Sequence, residues 1–566
     1  MKTKVKWNYW DKKYFDLAKK KNIPIILDLT ASWCHWCHRM DEDNYDNPEV
    51  AKIINKEFIP IKVDVDKRPD ITERYNMGGF PTTAFLTPDG SLIWGGTYLY
   101  PHDFKRTLYD IINRYKSNPE AFAVKGLKEL NFPEKVENVN LDDALNNVIL
   151  RIENSYDDSY GGFGIEPKFP NAEIIDLLLF NYFKTKDKKW LGMITSTLDN
   201  MAKGIYDNVD GGFFRYSVAT DWSIPHYEKM LDVNASMLRI YSNFYKVTNN
   251  PGYKRIVLGI ISYVNNFLYD KNSAFYGSQD ADEDFYKLNK KERLKKKYPS
   301  VDKTIYVNWN CLMISSYLRA YSVFKEKSYL DIALSSLNFI LKNCYSKETG
   351  MYHYFDKKPY ENGYLTDNIN MVSCLLDTYE ITLDKLYLEK TEEILKFVIK
   401  KFYHQNLAFI DRLPRKDDLG LLQVRGMPLI DNSIAAICLK RLYNLTLNER
   451  YRELAEGILN YLSAEYKNYG ILAAIYGYAI KIVTSKIIKL ELLGSKNSLK
   501  PLHEEILSFY HPVKSIKYIE DKKEINEKGY VLKNNIAVYI CGDNFCSPPI
   551  YTIEALQRIL NEISTR

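Results

Sequence analysis

The 566-residue chain has few cysteines and no marked excess of charge of either sign. Its eight cysteines are spread over the whole length with only two close pairs, which excludes a disulfide-rich secreted scaffold. The formal charge of +6 is a small difference between 78 basic and 72 acidic side chains. Such a balance provides no strong positive field, so we expect no nucleic-acid partner.

Long apolar runs are also absent. No stretch reaches the roughly 18 apolar residues of a membrane span, and the N-terminal Met-Lys-Thr-Lys-Val-Lys-Trp contains no apolar signal segment. The sequence therefore predicts a cytoplasmic protein without a membrane partner. The one basic run, at 287–297, is typical of a solvated helix or loop face. The length is too great for one ordinary core and predicts several domains.

A thiol pair follows the first strand-like stretch of the chain. The apolar run at 23–29 leads into Trp33-Cys34-His35-Trp36-Cys37-His38. Helical periodicity resumes after Cys34, which puts this sulfur near free helix N–H groups and the positive end of the helix dipole. Both favour a thiolate, so Cys34 is the predicted nucleophile and Cys37, one turn on, the resolving cysteine.

Two further residues fit a redox site around this pair. Asp28 lies six residues before Cys34 and is predicted beneath the pair on the strand, where a poorly solvated carboxylate could accept the proton of Cys37. Pro81 opens a later strand in Phe80-Pro81-Thr82, where a cis bond would present backbone to a peptide beside the cysteines. With the β-α-β order around them, these features resemble the thioredoxin fold, predicted for residues 1–118.

Two other chemistries fit the same residues less well. Cys34-His35-Trp36-Cys37-His38 matches the C-x-x-C-H pattern of covalent haem attachment, which requires an export context that we do not expect here. Zinc binding by these cysteines and histidines is disfavoured, because four ligands within one helical turn cannot all point at one tetrahedral centre. We therefore predict neither a metal nor another cofactor.

A repeated sequence pattern predicts a second, helical domain. After a predicted linker at 119–141, apolar residues recur at three- and four-residue spacing, interrupted by turns with aromatic residues at 161–164, 211–214, 274–277, 350–353, 407–410 and 470–473. A spacing of about 50 to 75 residues accommodates two helices and their loops. Six units predict six hairpins closed into an (α/α)6 toroid over 142–479, with the loops around a central cavity. An open α-solenoid is the alternative.

Candidate chemistry in the toroid lies in its loops. His226 and Glu228 bracket one residue and would both face the cavity if this segment is extended. Asp280, Asp282 and Asp284 alternate in the same way and would form a carboxylate cluster suited to acid/base work or to sugar hydroxyls. The residues that we predict to bind substrate, several of them by stacking, are Phe163, Arg215, Tyr216, Trp222, Lys229 and Trp309. Hydrolysis, epimerisation and binding alone all stay open, since no pairing distance is known.

The last stretch, 480–566, predicts a small α/β domain. Its cysteines, Cys541 and Cys546, could form a disulfide or a resolving pair for the first domain. The four remaining cysteines lie in apolar, helix-like surroundings and are predicted to be inert core residues: Cys311, Cys344, Cys374 and Cys438.

Several long strings together resemble one family. They are residues 34–38, 62–70, 161–164, 167–170, 211–217, 225–231, 280–282 and 309–310. Over nearly the whole chain they are similar to the spermatogenesis-associated thioredoxin-like family, whose members join an N-terminal thioredoxin-like domain to a six-hairpin, glycosidase-like barrel. That barrel is similar in fold to N-acylglucosamine 2-epimerases and glycoside hydrolases. Two departures are Asp28, where members commonly have a small polar residue, and a short segment between Asp284 and Trp309.

The resemblance implies a thiol-disulfide oxidoreductase domain coupled to a carbohydrate-binding or carbohydrate-processing barrel. The implied partners are protein thiols or disulfides, with a sugar as ligand of the barrel. One alternative makes the barrel a sugar epimerase or glycoside hydrolase and the thioredoxin-like part a docking module. The other is a non-enzymatic interaction scaffold, which a barrel plugged by large apolar side chains would favour.

Overall fold

The computed structural model describes residues 4–117, 140–542 and 545–565. It confirms the three predicted parts: a thioredoxin-like domain, a closed ring of helical hairpins, and a small C-terminal α/β domain. The linker predicted at 119–141 lies, as far as residue 139, outside the described residues. None of the helices in the described ranges is long and apolar enough to cross a membrane.

The thioredoxin-like domain is a four-stranded sheet flanked by helices. Its elements are α1 Lys12–Lys21, β1 Ile25–Thr30, α2 His35–Met40, α3 Pro48–Glu57, β2 Ile59–Asp64, α4 Pro69–Tyr75, β3 Thr82–Leu86, β4 Leu92–Gly96 and α5 Pro101–Ser117. The strand order is β2-β1-β3-β4, with β1 parallel to β2 and antiparallel to β3. Because side chains alternate along a strand, β1 supplies two cores: Leu27 packs on one face of the sheet and Ile26 on the other.

The barrel is built from long helices joined by short ones and by irregular loops. The helices between residues 140 and 485 are α6 Leu141–Ser155, α7 Ala172–Thr185, α8 Lys188–Gly204, α9 Leu231–Thr248, α10 Pro251–Tyr263, α11 Glu283–Tyr286, α12 Lys290–Arg293, α13 Val307–Phe324, α14 Lys327–Asn343, α15 Leu365–Thr382, α16 Lys385–Phe402, α17 Leu429–Thr446, α18 Glu449–Leu462 and α19 Ala474–Thr484. Helix α10 continues as a π-helical turn to Leu268.

Short strands lie in the loops of the barrel. They are β5 Tyr216–Ser217, β6 Pro225–His226, β7 Lys229–Met230, β8 Ser278–Gln279, β9 Val301–Asp302, β10 Ile305–Tyr306, β11 Tyr345–Ser346, β12 Gly350–Asp356, β13 Lys358–Asn362, β14 Tyr403–His404 and β15 Ala408–Phe409.

The six inner helices form a closed ring. In ring order α7, α9, α13, α15, α17 and α19 each pack on the next, and α19 packs back on α7. Each inner helix carries one outer helix, and α6, the first helix of the barrel, packs on α19, the last, to complete the sixth hairpin. The open solenoid is therefore wrong, because a solenoid leaves its end helices unpaired. The predicted boundary at 479/480 falls inside α19, which ends at Thr484.

The repeated turns have a common physical role. In each of four hairpins an Asn in the first turn of the inner helix holds the turn backbone, as Asn234 does when its side-chain oxygen accepts from Phe213 N and its amide donates to Phe213 O. Asn310 repeats both contacts with Phe275, and Asn432 with Phe409. These buried amides satisfy backbone groups that would otherwise have no partner.

The two α/β domains cover opposite ends of the barrel. The C-terminal domain comprises β16 Ile488–Gly494, α20 Lys496–Ser508, β17 Lys514–Ile519, α21 Lys522–Glu527, β18 Ile536–Cys541 and α22 Ile553–Thr565, with strand order β17-β16-β18. It docks where inner helices end, for example through Lys325 Nζ, which donates to Glu504 O at 2.7 Å. The thioredoxin-like domain docks where inner helices begin, through Tyr364, which donates to Asp70 Oδ1 at 3.0 Å.

Candidate functional site between the dithiol and the barrel

Cys34 lies at the strand-to-helix switch that the sequence predicts. Strand β1 ends at Thr30 and α2 begins at His35, so Cys34 is the residue that caps α2. Its Sγ accepts a hydrogen bond from the Cys37 N–H at 3.1 Å, and the two sulfurs are joined in a disulfide. The N-terminus of α2 therefore lies against Cys34, and its N–H groups and positive dipole end favour a thiolate there.

Asp28 lies in the middle of β1, directly opposite Lys62 of β2. Lys62 Nζ is 3.2 Å from Asp28 Oδ2 and 2.7 Å from Asp41 Oδ1. Asp28 is 1% exposed, and burial raises its pKa to about 6 although Lys62 opposes the shift. Its Oδ1 has no hydrogen-bond partner among the described residues. A carboxylate in this state can take up a proton near neutral pH.

Pro81 occupies the predicted position at the start of β3. The Phe80–Pro81 peptide bond is cis, and the following Thr82 pairs with Leu29 at the end of β1. The Phe80 ring meets the edge of Trp33 with centroids 6.2 Å apart. Pro81 therefore directly precedes the strand that pairs with β1, and β1 leads into Cys34.

The barrel covers the dithiol face. Arg215 stacks on Trp33 with its guanidinium carbon 4.3 Å from the ring centroid, and Met230 and Trp309 pack in the same apolar cluster as Cys34. Cys34 is only 3% exposed. Arg215 and Trp309 were predicted as substrate-binding residues of the barrel, and the structure places both against the thioredoxin-like domain.

Asp66 joins the two domains behind Trp33. Its carboxylate accepts from Trp33 Nε1 at 2.6 Å, and its carbonyl oxygen lies 2.7 Å from His353 Nε2. Burial, reinforced by Asp64, raises the pKa of Asp66 to about 8. The other ring nitrogen of His353 lies 2.9 Å from Asp367 Oδ2, so both nitrogens face acceptors. Burial lowers the pKa of His353, but Asp367 outweighs this effect and the pKa is raised.

His226 and Glu228 come together at the barrel entrance, although neither is among the residues that line the cavity inside the barrel. His226 Nδ1 hydrogen-bonds Glu228 Oε2, while Glu228 Oε1 is buried without a partner among the described residues. Tyr216 stacks on the His226 ring at 4.7 Å, and Phe169 stacks on the other side of Tyr216 at 4.7 Å. Phe169 is 41% exposed and presents a free ring face. The arrangement combines a carboxylate, an imidazole and an aromatic platform.

The two aspartates predicted as catalytic in the acidic stretch at 280–284 have different partners in the structure. Asp280 faces the thioredoxin-like domain, with its Oδ2 3.5 Å from His38 Nε2, and it raises the pKa of His38. Asp282 instead caps α11, where its carboxylate accepts from Phe285 N at 2.9 Å, and it is exposed. The predicted cluster of Asp280 and Asp282 is therefore wrong, because the helix that begins at Glu283 turns Asp282 away from Asp280.

Three predicted substrate contacts are core residues. Phe163 and Trp222 are buried in the barrel core, where neither ring face is free to stack on a ligand. Lys229 is buried with Nζ 2.6 Å from Asp207 Oδ2 and donates to Gly211 O. Lys168 makes the same contacts in the preceding hairpin, with Asp157 and Gly161. Lys229 thus holds a repeated turn, and the sequence pattern gave no sign of this.

Several residues at the site were missed. Lys62 and Asp66 are polar residues within an apolar strand and its extension, and the pairing of Lys62 with Asp28 across parallel strands could have been predicted once both strands were aligned. Phe169 follows the buried Lys168 in a string that the family resemblance used, but its exposure is a property of the fold. His35 and His226 both contribute, after Lys287, to the lowered pKa of Glu283, which puts the dithiol helix beside the entrance loops.

The inside of the barrel holds a cavity of about 390 Å³. All six inner helices and the C-terminal domain line it, and many of the lining side chains are polar or charged. The barrel is therefore not plugged by large apolar side chains.

Comparison with known proteins agrees with this architecture. Residues 1–128 match the Thioredox_DsbH family model, described as a protein of unknown function, DUF255, and residues 212–412 match the N-acylglucosamine 2-epimerase family model. The Caenorhabditis elegans protein B0495.5 is 26% identical over 99% of this chain and 95% of its own length. Human spermatogenesis-associated protein 20 is 33% identical over 49% of this chain and 39% of its own length.

Among solved structures, cellobiose 2-epimerase from Bacillus thermoamylovorans is similar with a TM-score of 0.47 and 14% identity, over 57% of this chain and 87% of that one. The match to human spermatogenesis-associated protein 20 covers about two fifths (39%) of that protein's length. The chain is a homologue of spermatogenesis-associated protein 20 in which a Thioredox_DsbH domain precedes an N-acylglucosamine 2-epimerase-like domain.

Proposed function

We propose that the chain is a thiol-disulfide oxidoreductase whose dithiol, Cys34 and Cys37, works beside a carbohydrate-binding or carbohydrate-processing barrel. The observation that carries the redox part is the position of Cys34. It caps α2, accepts the Cys37 N–H at 3.1 Å, and lies on the strand-helix unit that also holds the buried Asp28. A thiolate is stabilised at such a helix start, and a buried carboxylate can accept the proton of the resolving thiol.

The exchange proceeds in two balanced steps. The Cys34 thiolate attacks one sulfur of a substrate disulfide, forms a mixed disulfide and expels the other sulfur as a thiolate. Asp28 then accepts the proton of Cys37, and the Cys37 thiolate attacks Cys34 Sγ, which releases the second substrate thiolate and forms the Cys34–Cys37 disulfide. Two electrons pass from the dithiol to the substrate. The proposed partners are protein thiols or disulfides that reach Cys34 past the barrel residues.

Insulin reduction tests the redox part. Reduced wild-type protein should reduce insulin with a thiol reductant as electron supply, Cys34→Ser should be inactive, and Cys37→Ser should accumulate a covalent mixed disulfide detectable by mass. Cys311→Ala, at a buried cysteine of the barrel, is the matched control and should keep the activity. No turnover by the wild type, or equal turnover by Cys34→Ser, contradicts the proposal.

The barrel part of the proposal is supported by the entrance. An imidazole against a buried carboxylate is a pairing suited to general acid/base chemistry, and the free ring face of Phe169 adds an apolar platform. Carbohydrate as the ligand class rests on the match of residues 212–412 to the N-acylglucosamine 2-epimerase model.

A second candidate function makes the barrel the enzyme, a sugar epimerase or glycoside hydrolase, and the thioredoxin-like domain its docking module. The burial of Cys34 against Met230 and Trp309 favours it, since a covered dithiol contributes packing whether or not it exchanges. A non-enzymatic scaffold is the least favoured, because the barrel holds a cavity of about 390 Å³ whose lining includes polar and charged side chains.

A sugar panel separates these functions. Neutral sugars such as N-acetylglucosamine, N-acetylmannosamine, mannose and cellobiose are screened by thermal shift, and the incubated sugars are then analysed for new products. A stabilising sugar should lose its effect in Glu228→Gln and bind more weakly to Phe169→Ala, while the exposed Glu449→Gln is the control. A product supports the enzyme reading, binding without product supports a binding barrel, and absence of both contradicts a carbohydrate role at this entrance.

A further inference from the structure

The cavity of the barrel contains one polar layer near the C-terminal domain. Four inner helices contribute the residue twelve positions after their first residue, which places these side chains at one level of the ring: Asn243, Arg319, Asp377 and Arg441. All four line the cavity, at the end opposite to the dithiol. The layer is therefore separate from the site of the proposed function.

The two arginines of this layer have different direct partners. Arg441 Nη2 lies 2.7 Å from Asp377 Oδ1 and 3.2 Å from Glu380 Oε1, so these carboxylates are engaged. Arg319 donates to the neutral Asn243 Oδ1 at 2.5 Å and to Ser322 Oγ at 3.4 Å. Within residues 4–117, 140–542 and 545–565 it has no carboxylate within 4.0 Å. An arginine stays charged, so Arg319 is a cation whose direct hydrogen-bond partners are neutral, while Asp377 and Glu380 act on it from beyond 4.0 Å.

A lysine of the C-terminal domain faces the same cavity. Lys514, at the start of β17, directs Nζ to two carbonyl oxygens, Ile506 O at 2.9 Å and Phe509 O at 2.5 Å. In the part of the chain that the structure describes it too lacks a carboxylate within 4.0 Å. Burial, with Arg319 as the next cause, lowers the pKa of Lys514 to about 7. An anionic group bound between Arg319 and Lys514 would give Arg319 a direct charged partner and would favour the protonated form of Lys514.

The rest of the wall defines the rest of the ligand. Serine hydroxyls and ion-paired carboxylates also line the cavity and can hydrogen-bond to a ligand that carries hydroxyl groups: Ser236, Ser315, Asp176, Asp377 and Glu380. Apolar side chains line the cavity as well, among them Ile434, Ile437 and Ile482. A volume of about 390 Å³ suits a molecule the size of a substituted monosaccharide.

We infer that this end of the barrel cavity is a binding site for a small, hydroxyl-bearing anion, a sugar acid or sugar phosphate, held by Arg319 and Lys514. The anionic group lies against these two side chains, and the hydroxyls meet the serine and carboxylate side chains of the inner helices. The ring carbons lie against the isoleucine side chains. The inference does not depend on the redox or entrance chemistry, because none of its residues belongs to either.

Calorimetric titration of the full chain tests the site with three probes: glucose 6-phosphate, glucuronate and inorganic phosphate, with glucose as the neutral comparison at equal ionic strength. Glucose 6-phosphate or glucuronate should bind more tightly than both glucose and phosphate. Arg319→Met should weaken that binding about 10- to 100-fold, since a charge-assisted hydrogen bond is lost. The exposed Arg452→Met is the matched control and should bind as the wild type does.

Two further measurements keep the test decisive. Ser315→Leu leaves Arg319 in place and fills part of the cavity, so it should also weaken binding even if Arg319→Met folds poorly. Arg319→Met should leave insulin reduction unchanged, which separates this site from the dithiol. Tighter binding of glucose 6-phosphate than of glucuronate identifies a phosphate ester as the ligand class. Tighter binding of glucuronate identifies a carboxylate. No binding of either sugar anion, or equal binding by Arg319→Met and wild type, overturns the inference.

Discussion

Arg215 of the barrel lies over the ring of Trp33 of the thioredoxin-like domain, with the guanidinium carbon 4.3 Å from the indole centroid. Trp33 is the residue before Cys34, so this cation-π contact lies on the face that a disulfide must approach. The two domains are thus joined at the place where the proposed chemistry occurs, and access to Cys34 depends on how firmly the barrel holds this face.

Removal of the Arg215 side chain should open that face. We expect Arg215→Ala to raise the rate of insulin reduction several-fold relative to the rate with a small aromatic disulfide, because a folded protein needs more room than a small molecule. The ratio of the two rates is the measurement. Arg106→Ala, on the exposed surface of α5, is the control and should leave the ratio unchanged. An unchanged ratio in Arg215→Ala means that the barrel does not restrict access.

Substitution of Asp28 should raise the stability of the folded protein and slow the second step of thiol-disulfide exchange. Burial raises its pKa to about 6, so the folded protein retains a proton that the unfolded chain releases, and stability falls as pH rises from about 4 to about 6. Asp28→Asn should therefore be more stable at pH 7 by about 1–3 kcal/mol, and Lys62 keeps Asp41 as a partner. The resolving step should slow at least about 10-fold, since Cys37 loses its proton acceptor.

Hydrogen exchange of the β1 amides measures the stability change, and decay of the mixed disulfide measures the resolving step. Asp46→Asn, at an exposed residue of the same domain, is the control. A variant that is less stable than the wild type, or one that resolves the mixed disulfide at the wild-type rate, would contradict this role of Asp28.

Asp66 should make the domain contact sensitive to alkaline pH. Burial and the neighbouring Asp64 raise its pKa to about 8, so its protonated form stabilises the folded state and stability falls as pH rises from about 4 through about 8. Asp66→Asn keeps an oxygen for Trp33 Nε1 and carries no charge. Its thermal midpoint should therefore fall less than that of the wild type between pH 7 and pH 9. Asp110→Asn is the exposed control, and equal pH dependence of Asp66→Asn and wild type would count against this assignment.

The sequence predicts the local parts of this molecule well, because local physics decides them. The strand-to-helix switch at Cys34, the position of Asp28 and the six turns of the barrel all follow from periodicity and turn residues over short stretches. The pairing of His226 with Glu228 follows from alternation in the same way. These features need no knowledge of how distant segments meet.

Contacts between distant segments could not be predicted. Trp222 has a side chain suited to stacking on a ligand, but it lies in the core. Asp282 was predicted to belong to a carboxylate cluster, but it caps α11. The cover of Cys34 by Met230 depends on how two domains dock, which no spacing in a single sequence records. The structure was needed wherever burial, and not residue type, decides the role.

Lys229 provides a last test, because its ion pair can be compared with that of Lys168. Its Nζ lies 2.6 Å from Asp207 in the core, so Lys229→Met leaves a buried carboxylate with Arg293 as its remaining partner at 2.7 Å. We expect a loss of about 3 kcal/mol in stability, since one member of a buried pair is removed. Lys168→Met should behave alike in the preceding hairpin, because it repeats the same contacts.

Unfolding in urea, followed by circular dichroism, measures both losses. The sugar affinity of folded Lys229→Met should equal that of the wild type, because the side chain points into the core and not at the entrance. A normal stability with a lost sugar response would restore Lys229 as a ligand contact. Equal destabilisation of the two lysine variants, with binding retained, would instead identify both as supports of the repeated turn that positions His226 and Glu228.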